Sequence, residues 1–123
     1  RVLVVEDTPF FQKLEKDYLE EAGYQVLTAN HGREAWQILQ ENQVDAVVCD
    51  VQMPIMNGLE LVKRIRADKN LADLPVMALT SLTGEQQKRE GLDAGFDMYE
   101  FKLDKMQLLN MLGSMLEKGR DVV

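Results

Sequence analysis

Long hydrophobic runs are missing from this chain. Nothing in its 123 residues approaches the roughly 18 consecutive apolar positions a membrane-crossing helix needs. No secretory pattern precedes the first strand-like segment either, which opens directly at the amino terminus. Cysteine is nearly absent: Cys49 stands alone, so an internal disulfide is excluded and the chain fits a reducing compartment, with a cytoplasmic location expected. Histidine is equally scarce. His31 has no cysteine or second histidine nearby to build a metal site with, and reads as a solvated loop residue. Basic residues are in deficit, 14 against 21 acidic ones; the resulting charge of −7 argues against nucleic acid, whose affinity rests on cations neutralising phosphates. Neither a membrane nor a nucleic acid is therefore an expected partner.

Repeats, linkers and low-complexity tracts are also lacking, so residues 1–123 read as a single domain. Because it begins at Arg1 rather than methionine, the chain is expected to be a fragment of a longer polypeptide.

What is present is a strict alternation. Val2 to Val5, Gln25 to Ala29, Val44 to Cys49, Pro75 to Leu79 and Met98 to Phe101 read as strands, each followed by a segment of helical period. Runs such as Val2 to Val5 and Ala46 to Cys49 are apolar throughout, as strands buried on both faces must be. Five such units predict an α/β fold, a doubly wound parallel sheet with five helices.

In the first helix Phe11, Leu14, Tyr18, Leu19 and Ala22 form the apolar stripe, Thr8 is the expected N-cap with Pro9 at the first helical position, and Gly23 closes it. The second starts near Asn30 to Gly32 and buries Ala35, Ile38 and Leu39, with Trp36 at its edge. The third follows Asn57 and Gly58 and faces inward with Leu59, Val62 and Ile65. A capping box, Thr83 with Gln86, announces the fourth, whose polar body holds Gly91 and which is expected to be the least stable. The fifth follows Asp104 and buries Leu108, Leu109, Leu112, Met115 and Leu116, with Met106 and Met111 off that stripe.

Polar residues gather at the carboxyl ends of four strands: Glu6 and Asp7, Asp50, Thr80, and Lys102. Open α/β sheets place their chemistry at that edge. Carboxylates brought together repel, and a bound cation is the natural remedy. All-oxygen ligands select a hard ion, and Mg²⁺, usually held by one or two carboxylates plus a phosphate, suits the set. A threonine hydroxyl and a lysine ammonium complete what a phosphoryl group's oxygens require. A central carboxylate can then act as nucleophile and form an aspartyl phosphate. Cys49, preceding Asp50 in a strand, points to the opposite face and reads as a small core residue rather than a redox thiol.

Val2-Leu3-Val4-Val5-Glu6-Asp7, Cys49-Asp50 with Met53-Pro54 and Asn57-Gly58, Thr80-Ser81, and Lys102 together resemble the receiver domain of two-component response regulators, over essentially the whole chain. Thr80 lies 30 residues after Asp50, and Lys102 22 after Thr80, as in that family. The resemblance implies a flavodoxin-like sheet of order 2-1-3-4-5. It implies that Asp50 accepts a phosphoryl group from a phosphohistidine, that Glu6, Asp7, Asp50 and the Gln52 backbone carbonyl hold Mg²⁺, and that Thr80 and Lys102 contact the phosphoryl group. Tyr99 matches the switch aromatic, so phosphorylation is expected to repack the face formed by the fourth helix, fifth strand and fifth helix.

A narrower similarity rests on Thr8-Pro9-Phe10-Phe11, Ala94-Gly95-Phe96-Asp97 and Lys102-Leu103-Asp104: these resemble receivers fused to chemotaxis-type hybrid histidine kinases, including one of gliding motility. It implies a histidine kinase or phosphotransfer domain as partner, in the same polypeptide, with the receiver itself a phosphoacceptor rather than an enzyme beyond its own dephosphorylation. Two departures mark the chain: Leu103 where the family carries proline, and Ile55 where the loop after Met53-Pro54 commonly has glycine. Leu103 leaves open a degenerate receiver that only binds proteins, and the alternative to a receiver fused to a kinase is a stand-alone regulator. A flavodoxin would need a Ser/Thr/Gly-rich phosphate loop where Glu6-Asp7-Thr8-Pro9 stands. A dehalogenase-type hydrolase would need a second aspartate on its first strand.

Overall fold

Five short parallel strands form one sheet: β1 (Val2–Val5), β2 (Val26–Ala29), β3 (Ala46–Cys49), β4 (Val76–Thr80) and β5 (Met98–Phe101), in spatial order β2-β1-β3-β4-β5. Four helices alternate with them: α1 (Pro9–Glu21), α2 (Gly32–Glu41), α3 (Gly58–Ala67) and α4 (Glu85–Ala94). The structure, a computed structural model, describes residues 1–51, 56–80, 84–101, 112–114 and 116. Residues 112–114 and Leu116 are helical, at the place of the expected fifth helix. The rest of that helix, with Asp104, Met106, Leu108, Leu109, Met111 and Met115, lies outside the described residues, as do Gln52 to Ile55, Ser81 to Thr83, Lys102 and Leu103.

The all-apolar strands are buried because helices cover both faces of the sheet. Alternate residues feed two separate clusters. Val2, Val4, Ala46, Val48, Met77 and Leu79 meet Leu19 of α1 and Leu112 on one face. Leu3, Val5, Ala29, Val47, Cys49, Val76, Ala78 and Tyr99 meet α2 and α3 on the other, through Ala35, Leu39, Leu61, Val62 and Ile65. Each fully buried aliphatic side chain contributes about 1.5–3 kcal/mol. The register runs Ala29, Val5, Cys49, Ala78, Tyr99 straight across the sheet, so Cys49 does lie in the core, on the α2–α3 face. No helix among the described residues is long and apolar enough to cross a membrane.

Several local expectations are corrected. In α1 it is Glu15, not Ala22, that joins Leu19 in the buried set, since the helix closes at Glu21 and Ala22 is its exposed C-cap before Gly23 turns at φ 102°. Thr8 does stand at the N-cap with Pro9 behind it, but its side chain makes no capping bond. In α3 the stripe centres on Leu61, Val62 and Ile65 while Leu59 is half-buried, because steps of three residues drift by about 60° each around a helix. His31 is no idle loop residue: its Nδ1 accepts the Glu34 amide at 3.2 Å and caps α2. The N-cap of α4 is Gly84, at φ 131°, while Thr83 of the expected capping box lies outside the described residues. Gln86 donates to Glu90 at 3.2 Å.

A polar knot fixes the far end of the α3–β4 loop. The Arg66 guanidinium donates to the Ala72, Leu74 and Gly95 carbonyls at 3.1, 2.6 and 2.9 Å and pairs with Asp97 at 2.8 Å. Asp97 Oδ2 also accepts the Val76 amide at 2.8 Å, tying the starts of β4 and β5 together. Gly95 sits at φ 127°, and a Cβ there would lie 2.7 Å from Arg66 Cγ, so the turn after α4 is left open for the arginine stem.

Candidate functional site

The chain leaves β1 for α1 on one face of the sheet and leaves β3 for α3 on the other, which opens a crevice at the carboxyl ends of these adjacent strands. Glu6, Asp7 and Asp50 occupy it. One carboxylate oxygen from each lies within 4.8 Å of the others, with Glu6 and Asp50 buried and Asp7 exposed. At that separation, two buried carboxylates repel by about 3 kcal/mol at an effective dielectric near 20. An exposed side next to two buried oxygens is the donor set a hard cation takes while keeping water on its open face. The three residues therefore fit Mg²⁺.

Backbone bonds hold the two strand ends in place. The Asp50 amide donates to the Val5 carbonyl at 2.9 Å, and the Glu6 amide to Ala29 at 3.0 Å. Glu6 Oε1 accepts the Thr8 amide at 3.1 Å, which aims its carboxylate back over the turn. Gln12 of α1 points Nε2 at the Glu6 carbonyl, the Ala29 carbonyl and Asn30 Oδ1, at 2.9, 3.2 and 3.1 Å.

The Asn57-Gly58 pair of the sequence motif has a local reason. Asn57 Oδ1 caps α3 by accepting the Glu60 amide at 3.0 Å, while Gly58 donates to the Val51 carbonyl at 2.9 Å. A Cβ on Gly58 would land on the Asp50 carbonyl oxygen, so only glycine lets α3 begin directly behind Asp50. Gly32 plays the matching part in α2: its amide reaches the Met56 carbonyl at 3.0 Å, and a Cβ would stand 2.5 Å from that oxygen.

Cys49, next to Asp50, donates its Sγ hydrogen to the Asp50 carbonyl at 3.1 Å. Burial, and then the charges of Asp50, Glu6 and Glu15, push its thiol well above the ordinary range. The folded chain therefore holds this proton at pH values where the unfolded chain releases it, so stability falls as pH rises past the ordinary thiol pKa. Thiolate is the reactive form, and we expect Cys49 to resist a disulfide reagent at pH 8 until the chain unfolds in urea. Native labelling as fast as that of the unfolded chain would contradict this placement.

Tyr99 lies four strands from the sheet's opposite edge but is buried, edge-on to Phe96 with ring centroids 6.4 Å apart. Its hydroxyl has no hydrogen-bond partner among the described residues. Such a buried, unsatisfied hydroxyl costs about 1–3 kcal/mol. Burial raises its pKa, and the charges of Asp50 and Glu90 raise it further.

Of the residues singled out from the sequence, the structure brings together Glu6, Asp7 and Asp50 and ends β4 at Thr80, whose side chain, like Gln52 and Lys102, lies outside the described residues. The sequence reading missed Gln12 and His31, whose roles depend on which strand ends and helix starts meet, and it noticed Gly91 only as a weak point of α4.

A doubly wound sheet of this order with an acidic crevice at its switch point defines a flavodoxin-like fold with a candidate cation site. The comparisons with known proteins agree: the response regulator receiver domain matches residues 2–113, and the chain belongs to that family. It is 39% identical to the chemotaxis protein CheY homolog of Campylobacter jejuni over 125 residues, covering 100% of this chain and 92% of that protein. It is also 39% identical over 102 residues to the gliding motility regulatory protein of Myxococcus xanthus, covering 83% of this chain but only 13% of that much longer protein. Among solved structures it resembles the receiver domain of the sensor histidine kinase PA1611 from Pseudomonas aeruginosa, determined with a magnesium ion coordinated in the active-site cleft. That match has a TM-score of 0.87 and 27% identity, and covers 94% of this chain and 96% of the other.

Proposed function

We propose that this chain is a phosphoacceptor in which Asp50 takes a phosphoryl group from the phosphohistidine of a histidine kinase or phosphotransfer domain. The observation that carries the reading is the convergence of the Glu6, Asp7 and Asp50 carboxylates within 4.8 Å at the switch point of a receiver fold. An Asp50 carboxylate oxygen forms the new bond to phosphorus as the histidine N–P bond breaks. The electron pair of that bond returns to the imidazole nitrogen, which takes up a proton from solvent.

Glu6, Asp7 and Asp50, with the Gln52 carbonyl, would hold Mg²⁺, which when bound supplies neutralising charge beside the transferred phosphoryl oxygens. Thr80 and Lys102 then contact the remaining oxygens as a hydroxyl donor and a point charge. The phosphoryl group adds nearly two negative charges to the crevice. Thr80 moves toward them, the Tyr99 ring is held in its buried, inward position behind it, and the α4 and β5 face repacks to alter a chemotaxis- or motility-type output. The similarity to receivers carried by hybrid kinases favours a kinase partner within the same polypeptide.

Acetyl phosphate labelling in a Mg²⁺ titration tests this. The expected result is an acid-labile label that needs Mg²⁺, with Asp7→Asn raising the half-saturating Mg²⁺ concentration about tenfold or more, the loss of one charged ligand. Absence of label at any Mg²⁺ concentration would instead make the chain a binding module.

A further inference from the structure

Gly91 is the only buried residue of α4, a helix otherwise made of polar residues, Leu92 and Ala94. Its backbone is ordinary helix, so no turn explains a glycine there; the neighbouring ring does. A Cβ on Gly91 would stand 2.5 Å from Tyr99 Cδ2 and 2.7 Å from Cε2, closer than side-chain carbons approach one another, with Phe96 Cδ2 at 3.5 Å. The missing methyl is therefore the space that the Tyr99 ring fills. Phe96 closes the seat from the edge, and β5 delivers the ring from the end of the register row that passes through Cys49 beside Asp50.

We propose that Gly91 is the seat that admits the Tyr99 ring inward, and that residue 91 thereby sets the inward population of the switch and the ease with which the Asp50 site takes a phosphoryl group. The inward state is held by ring packing against Gly91 and Phe96 and opposed by the buried hydroxyl, which finds no acceptor among the described residues. Those two contributions work against each other, so a single methyl at position 91 decides the balance. A state only fractionally populated weakens any ligand that requires it in proportion to that fraction. The link to phosphorylation rests on the phosphoacceptor reading; the seat itself does not.

The test is Gly91→Ala in protein labelled with 3-fluorotyrosine, the Tyr99 fluorine resonance being assigned by its loss in Tyr99→Phe. In the parent chain this resonance is expected to be insensitive to exchanging H₂O for D₂O; in Gly91→Ala it gains the solvent-isotope shift of an exposed ring. Beryllofluoride, a phosphoryl mimic, should bind Gly91→Ala about tenfold more weakly. An unchanged Tyr99 resonance in Gly91→Ala overturns the seat, and a shifted resonance with unchanged beryllofluoride affinity overturns its control of the site. A shifted resonance in a protein whose parent binds no beryllofluoride supports the seat and counts against the phosphoacceptor reading alone. A double-mutant cycle guards against a general folding defect. Placed on Tyr99→Ala, Gly91→Ala should raise the urea midpoint, as alanine does in an open helix, and placed on the parent it should lower it. Equal effects in both backgrounds overturn the proposal.

Discussion

Asp50→Asn should lose acid-labile phosphoryl label completely while folding as the parent does. The substitution keeps the shape of the side chain and its place at the end of β3, where the amide bond to Val5 and the start of α3 behind it are backbone features. What it removes is the anionic oxygen that forms the bond to phosphorus. Removing a charge from a crowded acidic crevice also relieves repulsion with Glu6, so Asp50→Asn is expected to be at least as stable as the parent, and a urea melt run beside the labelling separates the two effects. Label that persists in the variant would take Asp50 out of the nucleophile's role, and Glu6 or Asp7 would have to be tested in its place.

The second large effect lies at the opposite end of the sheet. Arg66→Met keeps most of the stem that crosses Gly95 but removes the guanidinium, leaving Asp97 without its cation and three carbonyls short of a donor. The pair is mostly buried, with side chains 14% and 18% exposed, so deleting one partner is expected to cost about 3 kcal/mol. Equilibrium unfolding should show the urea midpoint falling by between about 1 and 2 M. Arg66→Lys should recover only part of the loss, because an ammonium cannot reach four acceptors in one plane. A midpoint within experimental error of the parent's would mean that water replaces the whole knot.

How much of this could be read from the amino acids follows from the range of each interaction. All-apolar runs announce buried parallel strands wherever they occur, and the carboxylates that end β1 and β3 stand directly behind those runs, so the fold and the acidic crevice were both visible in advance. The polar knot was not visible. Arg66 and Asp97 are 31 residues apart, and nothing local distinguishes them from solvated surface charges. Glu15 broke the stripe of α1 for a similar reason, since a buried glutamate contradicts every local preference. His31 as the cap of α2 shows the other limit: several residues can begin a helix, and tertiary backbone geometry selects among them. Gly91 is the most instructive case. Its weakness as a helix residue was correctly read, but its reason, the ring of Tyr99, belongs to the next strand.

Gln12 has one consequence of a mechanical kind. Its amide nitrogen carries two hydrogens and faces three acceptors, on the ends of β1 and β2 and on Asn30, so one is always under-served and the bond is shared among them. Through this tie the first turn of α1 is fastened to the same carbonyl row from which Glu6 and Asp7 project. The exposed ring of Phe10 stands on that same turn, so this end of α1 is joined to the rim of the acidic crevice by hydrogen bonds as well as by core packing.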